Sequence, residues 1–352
     1  MPNVGIKRSQ SGATRGVGGA ITGPPAVHGH GIATPARRSE GVARRLDDAA
    51  RAGWLYYVAG NTQEEIAAKL GVSRQSAQRL VSLAMSAGLV KVRLDHPIAR
   101  CLELGKHLTD RFGLVFVNVV PTDPASTSTT LGVAEAAAAE MERRLESVPP
   151  IIMAVGTGRT LKAAIDLLPA MECPQHRIVS LTGNVAPDGS AAFYNVIFSM
   201  ADAVKARHFP MPLSVIAASR EERDLLHQQK TVRSTLALAA QADVAFVGIG
   251  EFGEHPPLLV DGFITGAELA ALRRAGAVGE VLGWAFDRAG RLIEGLTNDR
   301  VASAPIPAVD TSMVIALAKG PAKLPAIGAA LSRPLVNGLI TDEATAEALL
   351  AG

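Results

Sequence analysis

Five consecutive residues, Gly156-Thr157-Gly158-Arg159-Thr160, follow an apolar run and open a helical pattern. Glycines let backbone N–H groups come close to an anion, a helix N-terminus adds its positive dipole end, and Thr and Arg donate directly. This chemistry suits a phosphate. The segment lacks the GK[ST] of a Walker loop and the third glycine of a dinucleotide fingerprint. A bare GxG is often only a tight strand-to-helix connection; Thr157, Arg159 and Thr160 favour the anion reading. Three more turns repeat the pattern: Thr182-Gly183-Asn184, Gly248-Ile249-Gly250 and Lys319-Gly320-Pro321-Ala322-Lys323. Lys319 and Lys323 stand at a helix start, where the dipole disfavours cations, so a bound anion would offset them. Glu280, read as part of a Gly-bounded turn at 276–280, is a good acceptor for sugar hydroxyls. His208 could line the same crevice or merely pack.

A second constellation lies upstream. Thr62-Gln63-Glu64-Glu65 is a capping box that starts a short helix, and Gly71 ends it. Ser73 caps a second helix running to about residue 87, with Ala77, Leu80, Val81 and Ala84 inward. Its outward residues are Arg74, Gln75, Ser76, Gln78 and Arg79. Arg forks onto guanine and Gln onto adenine in the major groove. Thr62, Gln63 and Ser73, with the helix-start amides, can hold phosphates. No acid occurs from 73 to 87. A solvated surface helix pair is the plainer alternative; the basic surroundings favour a DNA reader.

These groups need scaffolds. Residues 46–59 form a helical pattern, with Leu46, Ala50, Trp54, Leu55 and Val58 expected inward, Trp54 as core, and Tyr56 and Tyr57 left open. A strand at 89–94 would serve as a wing. Residues 98–112 make an amphipathic helix between head and body. Beyond it, strands at 115–120, 151–155, 178–181, 215–217, 244–247, 313–317 and 339–340 alternate with helices at 131–145, 160–168, 196–207, 221–239 and 323–331. Buried Val/Ile/Leu strands separated by helices imply a mostly parallel α/β sheet, whose ligands bind at the carboxyl ends of the strands. Thr341 is expected to cap a final helix. The domain reading is a basic disordered tail at 1–44, a winged helix-turn-helix at 45–95, a linker helix at 96–113 and an effector domain at 114–352.

Composition narrows the function classes. The 352 residues are 48% apolar, enough for a large core, and no apolar run approaches the roughly 18 residues of a membrane span. Two cysteines, Cys101 and Cys173, fit neither a disulfide framework nor a zinc pattern. Aromatics at 4% are too few for base-stacking platforms. The formal charge of +2 conceals a basic head and an acidic body, which assigns a polyanion partner to the head alone. Residues 1–40 are rich in Gly and Pro and have no signal-peptide h-region.

Taken together, Gln63-Glu64-Glu65-Ile66-Ala67, Leu70-Gly71-Val72-Ser73-Arg74, Arg79-Leu80, Phe112-Gly113-Leu114, the 156–160 turn, Ala242-Asp243 through Gly250, the 276–280 segment and Leu335-Val336-Asn337-Gly338-Leu339-Ile340-Thr341-Asp342-Glu343 resemble the SorC-type bacterial sugar-responsive transcriptional regulators. The resemblance covers residues 46 to 350. It implies a winged helix-turn-helix on a doubly wound effector domain similar to sugar-phosphate isomerase and deaminase folds. It also implies a cytoplasmic homodimer or homotetramer, double-stranded operator DNA as partner, and a small phosphorylated sugar or polyol as effector, with no cofactor, metal or membrane. Carried over by motif, Gly156, Thr157, Gly158, Arg159 and Thr160 would hold a phosphate, Glu280 the hydroxyls and Lys323 a phosphate oxygen, with Gly183, Gly248 and Gly250 lining the crevice. Two residues depart from the pattern. Lys319 stands where a small residue is common, and implies either a more anionic effector or a lysine turned to solvent. Ala77 replaces a larger β-branched residue. The rival reading is an isomerase or deaminase of sugar phosphates with an accessory head, which needs an acid–base pair beside the 156–160 turn. A DNA-organising protein without a ligand is the third.

Overall fold

The computed structural model describes residues 35–90, 98–123, 130–191 and 194–352, with residues 35–42 described by backbone alone. The chain divides into two compact units, Met1–Val92 and Arg93–Gly352.

The first unit packs α1 (Pro35–Tyr57), α2 (Gln63–Leu70) and α3 (Arg74–Ser86) around Ala52, Ile66, Ala67, Ala77 and Val81. Helix α1 begins at Pro35, so residues 35–44 are helical rather than part of a disordered tail. Pro is suited to the first helical position, and the Arg and Ala that follow are strong helix formers. Residues 1–34 of the expected tail and 91–94 of the expected wing strand lie outside the described residues.

The buried face of α1 is not the expected one. Ala49, Ala52 and Gly53 face inward, while Ala50, Trp54 and Val58 are exposed, Trp54 by 56%. A Cβ on Gly53 would lie 2.6 Å from Val90 Cγ2 and 2.8 Å from Ala84 Cβ. So close an approach of α1 to α3 admits only small residues on the shared face and turns the indole outward.

The second unit is three layers built on a seven-stranded parallel sheet. Its strands are β1 (Phe116–Val120), β2 (Ile152–Val155), β3 (Arg177–Gly183), β4 (Arg207–Met211), β5 (Val244–Gly248), β9 (Met313–Leu317) and β10 (Gly338–Asp342), in the order β1-β10-β9-β5-β2-β3-β4. A small antiparallel sheet is made by β6 (Gly250–Glu251), β7 (Ala277–Val281) and β8 (Trp284–Asp287). Helices α5 (Leu131–Leu145), α6 (Arg159–Asp166) and α7 (Val196–Val204) cover one face of the large sheet. On the other lie α4 (Ala99–Phe112), α9 (Lys230–Ala239), α12 (Leu324–Ser332) and α13 (Glu343–Ala351). Helices α8 (Arg220–Gln228), α10 (Pro257–Val260) and α11 (Gly266–Arg274) complete the unit.

The period of two along each strand feeds both cores: Val244 and Phe246 point to the α5–α6–α7 side, Ala245 and Val247 to the other. His176, fully buried, stitches the first layer to the sheet. Its Nδ1 accepts from the Ile151 N–H at 3.1 Å, so its Nε2 carries the proton and donates to the Leu145 carbonyl at 3.0 Å.

Several elements differ from the sequence expectation. Residues 215–217 form no strand, only the isolated bridge Ile216 to Val301. The 221–239 helix is two, broken at Gln229, whose ψ of 133° is extended. Strand β4 takes Arg207 from the end of the expected α7. It survives with Pro210 because it is a sheet edge, where a missing N–H costs no ladder bond. Asp342, not Thr341, caps α13, accepting from Thr345 N–H at 3.1 Å.

The connectivity places the crevice. From β2 the chain steps outward to β3 and β4, then returns to β5 on the other side of β2 and steps the opposite way to β9 and β10. The order therefore reverses between β2 and β5, and the loops leaving their carboxyl ends diverge there.

Candidate functional site

At that reversal the Gly156 N–H donates to the Phe246 carbonyl at 2.9 Å, joining the two loops at their roots. Gly158, at φ +127°, precedes α6, and no side chain caps that helix. Its first amides keep their donors available for an anion. Thr157 donates its hydroxyl to the Tyr194 carbonyl at 3.3 Å. Gly248 faces this turn closely, since a Cβ there would stand 3.6 Å from the Thr157 carbonyl oxygen.

Glu280 lies in the middle of strand β7, not in a turn. Cross-strand pairing sets it opposite Gly250 of β6. A Cβ on Gly250 would fall 2.0 Å from Glu280 Oε1, so only glycine lets the carboxylate lie across that strand. The hairpin that follows fixes the other oxygen. Leu282 and Gly283 both have positive φ, 58° and 89°, as a tight two-residue turn between β7 and β8 requires, and the Gly283 N–H donates to Glu280 Oε2 at 2.7 Å.

Lys323 ends a 3-10 turn (Pro321–Lys323) at the head of α12 and donates Nζ to the Ile249 carbonyl at 2.6 Å, between Gly248 and Gly250. Burial pushes the Glu280 carboxyl up from the ordinary range, against the pull of the Gly283 N–H and the Lys323 charge. Burial likewise lowers Lys323, with Glu280 and Glu251 opposing and Arg159 assisting. Both groups are desolvated, and each one's charge opposes the other's shift.

Two carboxylates of this crevice escape sequence reading. Asp261, just after α10, is raised by burial and drawn down by Arg159. Glu251 acts on Lys323 from β6. Their signal was weak: an acid beside Gly262 at φ +77°, and an acid directly after the Gly248-Ile249-Gly250 turn.

The structure brings together Gly156, Thr157, Gly158, Arg159, Thr160, Gly248, Gly250, Glu280 and Lys323. Gly183, at the end of β3 beside β2, also answers to a backbone crossing: a Cβ there would stand 2.2 Å from the Leu213 carbonyl oxygen. His208 is exposed on edge strand β4, its ring edge-on to Phe198 at 5.8 Å. Lys319 does not turn to solvent. Its Nζ lies 2.9 Å from Asp342 Oδ2, with side chains only 10% and 4% exposed.

In the first unit the caps form as the sequence predicts. Thr62 and Glu65 make the reciprocal capping box, Gly71 takes φ +66° at the end of α2, and Ser73 accepts from the Ser76 N–H at 3.2 Å. Arg74, Gln75, Gln78 and Arg79 are exposed along α3, Ser76 is half-buried, and Gln63 opens α2. Arg74 reaches Glu64 at 3.1 Å in an exposed pair. Among the described residues no helix is long and apolar enough to cross a membrane, and no cluster of side chains could hold a metal.

Residues 96–351 match the family model described as "Putative sugar-binding domain". The chain is 33% identical over 302 residues to the erythritol catabolism regulatory protein EryD of Brucella abortus, spanning 86% of this chain and 96% of that protein. It is 32% identical over 317 residues to the transcriptional regulator LsrR of Enterobacter sp. (strain 638), spanning 86% and 92%. The full-length sorbitol operon regulator SorC from Klebsiella pneumoniae has the same fold, with a TM-score of 0.64 at 22% identity over 87% of this chain and 99% of that one.

Proposed function

This chain belongs to the SorC-type family of sugar-binding transcriptional regulators, and we propose that it is a DNA-binding repressor of a carbohydrate or polyol catabolic operon, released by a small sugar- or polyol-derived effector. The relatives it matches are transcriptional regulators, which favours a regulator over the isomerase or deaminase reading.

The observation that carries the effector reading is the meeting of Glu280 and Lys323 beside the uncapped start of α6, at the reversal of strand order. A phosphate or terminal hydroxyl of the effector sits at the 156–160 turn, taking backbone N–H groups, Thr160 and Arg159. Glu280 accepts from the hydroxyls, and Lys323 donates to an adjacent oxygen. At Glu280 and Lys323 the contact replaces water at a group that burial has already partly desolvated.

In the first unit, α2, α3 and their caps support a helix-turn-helix. The N-terminal residues of α3 enter the major groove, with Arg74, Gln75, Gln78 and Arg79 at base edges and Thr62, Gln63, Ser73 and Ser76 at the backbone. A symmetric dimer or tetramer presents paired reader helices to two half-sites. The effector shifts the population between two arrangements through its unequal affinity for them, and α4, the first helix of the second unit, carries the change. Such a protein works in the cytoplasm, where operator DNA lies.

The test is a gel-shift series on a duplex enriched by the protein from a random pool, with and without a panel of sugars, polyols and their phosphates. One panel member is expected to weaken DNA binding and raise the Tm. Unchanged DNA affinity across the panel overturns the switch.

A further inference from the structure

Beside α3 runs an open hollow of about 600 Å³, bounded on one side by Gln75, Gln78, Arg79, Ser82 and Ser86, with Leu83 among them, and on the other by Arg45 of α1. The five polar α3 residues recur every three to four positions and form a stripe, interrupted by Leu83 alone, over about 16 Å at 1.5 Å per residue. Among the described residues the lining carries no carboxylate. We infer that this hollow is the seat of one DNA strand's sugar–phosphate backbone and that Arg45 is a phosphate contact lying outside the helix-turn-helix itself. The inference rests on the DNA-binding reading of α3.

Dimensions lead to it. A helix with its side chains is about 10–12 Å across and the major groove about 12 Å wide, so a docked α3 fills the groove and the backbone walls must run along its flanks. On the α1 flank the hollow is the available space. Gln75, Gln78 and Arg79 belong to the base-facing end of α3, whereas Ser82 and Ser86 are too short to reach bases and suit phosphate oxygens. Arg45 faces that row with a guanidinium fork matched to phosphate. It follows that α1 does two jobs. Its small-residue face, Ala49-Ala52-Gly53, sets the distance to α3, and Arg45 uses the gap that this distance leaves.

Fluorescence anisotropy of the full chain tests this on two labelled duplexes, the enriched one and a scrambled one of equal composition, between about 50 and 200 mM KCl. Arg45→Gln is expected to weaken both duplexes by the same factor and to reduce the log–log salt slope by about 0.9 for each subunit bound to the duplex. Arg45→Lys should restore the slope. Arg51→Gln, exposed on α1 outside the hollow, should leave it unchanged. An unaltered slope in Arg45→Gln, a loss confined to the enriched duplex, or an equal effect from Arg51→Gln overturns the inference. A wild-type chain that enriches no duplex overturns the DNA-binding reading itself, which is a different result.

Discussion

The face of α2 and α3 and the crevice between β2 and β5 handle charge in opposite ways. On α3, Arg74 and Arg79 stand in water, and the Arg74–Glu64 pair has side chains 68% and 72% exposed. In the crevice, Lys323 feels the charges of Glu280, Glu251 and Arg159, Asp261 feels that of Arg159, and burial moves Glu280, Lys323 and Asp261 from their ordinary ranges. Exposed charges cost little, are screened by salt and remain open to a polyanion. Desolvated charges depend on the few partners within reach, so a small change in those partners shifts them strongly. A long, salt-sensitive contact and a short, selective one thus call for different surroundings, and this chain supplies one in each unit.

Lys319→Ala tests the buried side of that contrast where no ligand is involved. Breaking the Lys319–Asp342 pair should cost about 3 kcal/mol, because Asp342 keeps a buried charge without its partner. Burial would raise Asp342, but the Thr345 bonds and Lys319 hold its carboxyl below 3.8. A depressed carboxylate adds stability that is present above its unfolded value and lost as pH falls through the folded one. The wild-type Tm should therefore drop on acidification below about pH 4, and Lys319→Ala should flatten that limb. Calorimetry from pH 7 to 2.5 measures both.

Gly250→Ala comes next. The new methyl collides with the Glu280 carboxylate, so effector-induced thermal stabilisation should disappear while overpacking costs about 1–3 kcal/mol. A retained effector shift would mean that Glu280 does not touch the ligand. In the exposed region the effects shrink. Ser73→Ala should cost about 1 kcal/mol by removing the α3 cap. Glu64→Gln should change stability by less than about 0.5 kcal/mol, yet tighten DNA binding severalfold at low salt by releasing Arg74. Titrations at two salt concentrations would show the gain fading.

The large sheet was legible because β2, β5 and β9 are unbroken apolar runs that bury both faces, and α5 ran as its pattern said, Leu131–Leu145. The caps of α2 and α3 were legible because Thr62, Glu65, Gly71 and Ser73 act over three or four residues. The small sheet was not. Strand β6 has two residues, and β7 carries Gly279 where a Cβ would strike Ala326 at 2.4 Å, so packing rather than propensity makes the strand. Reading Glu280 as a turn residue followed from that. Glu280 was still singled out as a candidate acceptor, whereas Asp261 and Lys319's partner became visible only when distant segments met. Trp54 was misplaced because spacing reports that a helix has two faces, not which one a close neighbour will accept.

Strand β1 pairs with β10, and its register partners stand 222 positions further along the chain. During synthesis β1 leaves the ribosome with nothing in the sheet to bind, and must wait for β10, made 222 positions later, while α4 waits for α13 to supply Glu347 to Arg100 and the Leu350 carbonyl to Arg111. Closure of this domain is thus a long-range event. The nascent chain carries an unmatched strand until that distant segment has emerged, and the step that completes the sheet also seats the helix through which the domain is entered.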